Sequence, residues 1–169
     1  WVVFGCSHTY GVGLRESETW VKQLESLVGK RIYNTANPGS GWDYIWLQVA
    51  HRLLYDPLPP HVIIQTPALG RLSIAKSNHQ GMLNLFHWTE SELFRSAGID
   101  NIEYNSQVIR RLIFRHLDRA GVPYTILDWN HAFEQAKRND WARDLAHAGP
   151  KTNRAIAEQL RSSLRSGKQ

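Results

Sequence analysis

The sequence predicts an α/β domain in which a short parallel sheet lies between helices, a three-layer α/β/α sandwich. Three observations lead there. Short apolar runs alternate with longer stretches of helical periodicity along most of the chain. The run Val62-Ile63-Ile64 shows no polar alternation, as expected for a strand covered on both faces. The chain has 169 residues and 42% apolar content, enough for one domain with a real core.

Trp1-Val2-Val3-Phe4 is the first strand, ending at Gly5-Cys6-Ser7-His8. Ser17 to Val28 is a helix with Trp20, Val21, Leu24, Leu27 and Val28 on one face, and Gly29 is its stop. Arg31 to Ala36 is the second strand. Ser40 to Tyr55 is a helix carrying Ile45, Trp46, Val49, Ala50, Leu53 and Leu54, with Ser40 and Asp43 spaced as a capping box. Pro57, Pro59 and Pro60 end it, and Val62 to Ile64 follows as a strand. Asn105 to Ala120 is a helix closed by Gly121. Val122 to Leu127 is a strand, with Pro123 near its start, where a missing donor is tolerated. Pro150 opens the last helix at the favoured first position.

Two segments break the alternation. Gly70 to Tyr104 is long and mixed, with a short helix expected near Glu90 to Ser96. Asn130 to Trp141 reads as a further helix, and no convincing fifth strand is visible. The organisation expected is a single domain over residues 1–169, with an insertion around 70–104 as a pocket wall or lid.

Net charge is +5 and the pI is near 9.6. The basic residues are scattered, and their densest group (Arg154, Arg161, Arg165, Lys168) suits a helix C-terminus. No run interleaves basic and aromatic residues, which disfavours nucleic acid as a partner. No stretch approaches the length of a membrane span. Cys6 is the only cysteine, so no intrachain disulfide forms, which fits a reducing compartment and slightly favours the cytoplasm. The chain begins at Trp1 within a strand, so an upstream segment, a signal peptide included, stays open. The seven tryptophans are expected in core and pocket walls.

Ser7 stands where a strand ends, which is where open α/β sheets bind ligands. A serine hydroxyl is a weak nucleophile and needs a base plus a group to orient it. Asp144 and His147, three residues apart, can share one loop, and Pro150 follows them directly into a helix. An oxyanion also needs donors. Gly39 can bring a bare backbone N–H close to a reacting oxygen, and the Ser7 amide is a second donor.

These blocks resemble those of the SGNH hydrolases, also called the GDSL esterase/lipase family. Phe4-Gly5-Cys6-Ser7-His8-Thr9-Tyr10-Gly11 is similar to the first block, whose serine is the nucleophile. Asn34-Thr35-Ala36-Asn37-Pro38-Gly39 is similar to the second, whose glycine donates to the oxyanion. Asp144-Leu145-Ala146-His147 is similar to the last. The resemblance implies a flavodoxin-like SGNH architecture and a carboxylic ester hydrolase with Ser7, Asp144 and His147 as its catalytic residues. It implies an acyl ester substrate, of a carbohydrate, a lipid or another small alcohol, and no cofactor. Acyl transfer would use the same residues.

Two departures stand out. Cys6 replaces the first block's aspartate, a position outside the nucleophile. The third block should carry Gly-x-Asn-Asp, yet Ile64-Gln65-Thr66-Pro67-Ala68-Leu69-Gly70-Arg71 has no such asparagine. Gln65, Thr66 and Arg71 are the substitute donors, with Asn78 and Asn84 of the insertion as further candidates, and His8 as a pocket residue. The remaining histidines show no metal-ligand spacing, so no metal is expected. The alternative reading is a non-catalytic glycan- or polyanion-binding domain on the same scaffold.

Overall fold

The computed structural model describes residues 1–75, 82–86, 98–135 and 140–166. The chain divides into two compact units. The first comprises Trp1–Pro38, Pro59–Thr66 and Tyr124–Gln169; the second comprises Gly39–Leu58 and Pro67–Pro123. The protein is mixed α/β, with a small parallel sheet flanked by helices.

In the first unit, β1 (Val2–Phe4), β2 (Tyr33–Asn34), β3 (Val62–Gln65) and β6 (Tyr124–Leu127) form a parallel sheet of order β2-β1-β3-β6. Val3 pairs with Ile63, and Gln65 with Leu127. β1 and β3 are buried throughout, as the unalternating run Val62 to Ile64 predicts. The helices of this unit are α1 (Ser7–Tyr10), α2 (Trp20–Val28), α5 (Trp129–Gln135) and α6 (Pro150–Ser166). Trp20, Val21 and Leu24 of α2 and Ile156, Ala157 and Leu160 of α6 close on Val3 and Ile63 as one core. Each large side chain buried there stabilises the unit by roughly 1.5–3 kcal/mol.

Several boundaries differ from expectation. Glu16–Glu18 is a separate 3-10 turn, and α2 starts only after Thr19, whose hydroxyl accepts from the Lys22 amide. β2 is shorter than Arg31 to Ala36; the Thr35 amide still makes a ladder bond to the Val3 carbonyl, which the Thr35 hydroxyl shares. The Ala36 amide then closes on Asn34 Oδ1. Of the helix expected over Asn130 to Trp141, α5 ends at Gln135, and Trp141 stands in a β-bridge with Ala148; Asp128 Oδ1 caps the start of α5 on the His131 amide.

The second unit contains α3 (Trp42–Tyr55), the antiparallel hairpin β4 (Arg71–Ala75) and β5 (Met82–Phe86), and α4 (Ile99–Arg119). Ile45, Val49, Ile113 and Leu117 are buried, whereas Leu54 is exposed. Trp42 meets Phe114 edge-on, with the Arg110 guanidinium over both rings. The Ser40–Asp43 capping box does not form. Gly41 is the N-cap of α3 without a side-chain cap, and Asp43 instead accepts from the Tyr44 and Ser73 amides, tying α3 to β4. Burial raises the Asp43 pKa against those hydrogen bonds.

α4 starts six residues before Asn105, because Ile102 and Ser106 extend the buried stripe to Ile113 and Leu117. The Gly70 to Tyr104 segment contains the β4–β5 hairpin. Its alternation in Arg71-Leu72-Ser73-Ile74 and Leu83-Asn84-Leu85 was a readable strand signal. The helix expected near Glu90 to Ser96, and Asn78, lie outside the described residues.

Candidate functional site

Ser7 opens α1 directly after Gly5 and Cys6, so the chain turns from strand to helix in two residues. One buried amide braces this turn. Gln65 Oε1, at the end of β3, accepts from the Cys6 amide (3.0 Å), the Cys6 thiol (3.2 Å) and the Thr9 hydroxyl (3.0 Å). Gln65 Nε2 donates to the Thr66 carbonyl. Gly5 is required by close approach: a Cβ there would lie 2.4 Å from Thr9 Oγ1 and 2.9 Å from Gln65 Oε1. The second block is laced to the same turn, with Asn34 Nδ2 donating to the Thr9 carbonyl (2.7 Å) and the Asn37 amide to the Gly5 carbonyl (3.3 Å). Among the described residues, neither the amide nor the hydroxyl of Ser7 makes a hydrogen bond.

Asp144 and His147 sit in a loop drawn together at its base. Trp141 and Ala148 form a β-bridge, and the Ala142 amide donates to the His147 carbonyl at 2.9 Å. Asp140 fastens the exit, accepting from the Lys151 and Thr152 amides at the start of α6. Buried Asn153 donates to the Ala148 and Gly149 carbonyls and accepts from the Trp20 amide. On the outer side, Arg143 forms a two-pronged ion pair with Glu18 (2.8 and 2.9 Å) and also donates to the Gly13 carbonyl (3.2 Å).

Within the loop, His147 Nδ1 lies 2.5 Å from Asp144 Oδ2. Asp144 Oδ1 accepts from the Ala146 and His147 amides, both at 3.1 Å. Burial works against the charge on Asp144, but these hydrogen bonds and the His147 ring outweigh it and hold the carboxyl down to about 2. An ionised carboxylate only accepts, so Nδ1 carries the proton and Nε2 keeps its lone pair in the neutral ring.

The turn and the loop meet. The His8 ring, next to Ser7, stacks on Trp129 at 4.2 Å and lies 4.7 Å from the His147 ring. Gly13, at φ 76°, lets the loop close, since a Cβ would sit 3.0 Å from the Asp144 carboxyl carbon. No hydrogen bond joins the Ser7 hydroxyl to the His147 ring among the described residues.

The other expected residues fall into three groups. Gln65 is 1% exposed; its oxygen accepts from Cys6 and Thr9 and its Nε2 donates to the Thr66 carbonyl, so it braces the turn from inside. Thr66 joins the strand ends, its hydroxyl accepting from the Trp129 amide at 3.1 Å, a bond that leaves the hydroxyl proton uncommitted. Gly39, at φ 82°, and Arg71, which donates to the Ser40 carbonyl at 3.5 Å, belong to the second unit. The side chain of Asn84 lies outside the described residues.

Sequence reasoning missed Gly13, Glu18, Asp140 and Arg143. No sequence signal marks Asp140, because it is 11 and 12 residues from the Lys151 and Thr152 amides it caps and reaches them only through the fold of the loop. A cavity of about 410 Å³ along β6 and α6, and another of about 300 Å³ between Tyr10 and Lys22, contain none of Ser7, Asp144 and His147. Among the described residues no helix is long and apolar enough to cross a membrane, and no cluster of His, Cys, Asp or Glu is arranged to hold a metal.

No protein-family model matches the sequence, and no curated protein matches it significantly. Solved structures do. A lipolytic protein of the G-D-S-L family from Veillonella parvula aligns over 97% of this chain and 95% of its own, at 11% identity and a TM-score of 0.51. The psychrotrophic esterase EstA from a Pseudoalteromonas species aligns over 98% and 97%, at 13% identity and a TM-score of 0.46, too low to add to the argument. At such identities the likeness speaks for the fold. The chain has the fold of the SGNH, or G-D-S-L, hydrolases.

Proposed function

We propose that the protein is an SGNH-type serine esterase that cleaves an acyl ester through an acyl-enzyme. The observation that carries this reading is the Asp144–His147 couple, held at 2.5 Å, with the imidazole against the residue that follows Ser7. In the proposed reaction, His147 Nε2 takes the Ser7 proton as Oγ attacks the ester carbonyl. Asp144 holds the ring in the required tautomer and stabilises the imidazolium. The imidazolium returns the proton to the leaving alcohol. Water, activated by the same nitrogen, then releases the acid and frees Ser7.

The oxyanion donors are the Ser7 amide and, by the resemblance of Asn34 to Gly39 to the second block, the Gly39 amide. Thr66, with an uncommitted hydroxyl proton, is the preferred replacement for the missing asparagine over Gln65. The His8 ring, backed by Trp129, lies against one side of the His147 ring.

The test is hydrolysis of p-nitrophenyl acetate by wild type and Ser7→Ala. Loss of Ser7 is expected to lower kcat/KM by about 10³-fold or more. Equal rates above background would remove Ser7 as nucleophile, and background rates for both proteins would favour a binding domain on this scaffold.

A further inference from the structure

We infer that Leu145 contacts the alcohol part of the substrate, and that the substrate is an ester of an apolar alcohol. This rests on the reading of Asp144 and His147 as the acid and base of an esterase. Leu145 is the only non-glycine residue at positive φ among the described residues, at 56°. A leucine there is strained, because its Cβ crowds the backbone, and glycine would relieve the strain. Its side chain is also 77% exposed, so the fold gains little burial from it. Neither the backbone nor the core accounts for a large apolar side chain at this position. Trp141, on the same loop, is 49% exposed, so the loop offers two large apolar groups to solvent.

The chemistry of the site says which part of a substrate meets them. The proton that His147 takes from Ser7 must pass to the oxygen of the departing alcohol. That oxygen therefore lies against the imidazole, and the carbon chain behind it lies on the side of the loop that carries His147. Leu145 is two residues from His147 on that loop. An apolar alcohol covers Leu145 as it binds, whereas a polyol leaves it wet. Strained residues gather where a fold is shaped for a ligand.

Ethyl acetate and hexyl acetate isolate this effect, because their acyl groups match and their alkoxides leave with similar ease. Wild type is expected to favour hexyl acetate in kcat/KM, and Leu145→Gly to lower the hexyl-to-ethyl ratio by about tenfold, the scale of covering much of one leucine. Because glycine suits the backbone, Leu145→Gly should melt at or slightly above the wild-type temperature. A second readout needs no turnover. In protein with isotope-labelled leucine methyls, the Leu145 signals are those missing from Leu145→Gly. They should shift saturably with 1-hexanol and stay still with ethanol.

An unchanged hexyl-to-ethyl ratio, still Leu145 signals in 1-hexanol, or a melting temperature several degrees lower in Leu145→Gly would each overturn the inference. If Ser7→Ala keeps full activity while 1-hexanol still moves the Leu145 signals, the Ser7 reading falls and the apolar contact stands.

Discussion

The turn that carries Ser7 and the loop that carries His147 solve the same positioning problem with different physics. The turn is held from inside. Cys6, Thr9 and Gln65 are buried, and their hydrogen bonds are neutral and shielded from water. The loop is held from outside. Arg143, Asp144 and Leu145 are exposed, and the bonds that shape the loop involve the carboxylates of Glu18, Asp140 and Asp144. The place of Ser7 is thus written into the core, while that of His147 depends on charge. Conditions that alter charge should therefore disturb the His147 loop first.

The largest effect should come from breaking the turn. Gln65→Leu leaves the Cys6 amide and Thr9 hydroxyl buried without an acceptor, at a cost of roughly 2–4 kcal/mol. A urea titration reads this as a lowered midpoint. An unchanged midpoint would mean the turn is not braced from the core. Gly5→Ala should cost about 1–3 kcal/mol by the same assay, since its Cβ meets Thr9 and Gln65.

Next comes the loop's exit. Asp140→Ala removes the acceptor for the first amides of α6 and should cost about 1–2 kcal/mol. Its mark should be faster amide exchange at Gly149 and Thr152 with little change at Cys6. Equal acceleration at Cys6 would show that turn and loop open together.

Acid should separate the two regions. Asp144 and Glu18 are each held down to about 2, Asp144 by its amide and imidazole bonds against burial, Glu18 chiefly by Arg143. Their folded pKa values lie below the unfolded ones, near 4. The stability they contribute is therefore present above about pH 4 and lost as pH falls towards 2. Protection of the Ala142 and Gly149 amides should fade across that window before that of Cys6. Asp144→Asn should flatten the change.

The smallest effect is expected from Arg143→Met. An exposed ion pair contributes little to stability and is screened by salt. The melting temperature should hardly move, while kcat/KM falls by less than about tenfold and loses its dependence on ionic strength. A wild-type protein indifferent to salt would argue against charge as the loop's fastener.

Much of the fold was legible along the chain. Periodicity located α2, α3 and α6, and the buried run Val62 to Ile64 located β3, because burial leaves its mark on nearly every residue of an element. The Asp144–His147 contact was legible as well, since a spacing of three residues lets both side chains share one loop. Less legible was anything that depends on residues distant in sequence. Gln65 looked like a substrate donor because the chain does not say that its oxygen meets Cys6 and Thr9. Glu18 and Arg143 are 125 residues apart, and neither position is unusual until the loop folds against the 3-10 turn.

Local sequence thus set the elements and the pairing of Asp144 with His147, because propensity, burial pattern and short-range hydrogen bonding act over a few neighbouring residues. Tertiary structure settled which polar side chains are consumed in bracing. It also put Leu145 at once in a left-handed backbone and in solvent. Those outcomes depend on which surfaces meet, and a single hydrogen bond across the fold is enough to turn an apparent ligand donor into part of the frame.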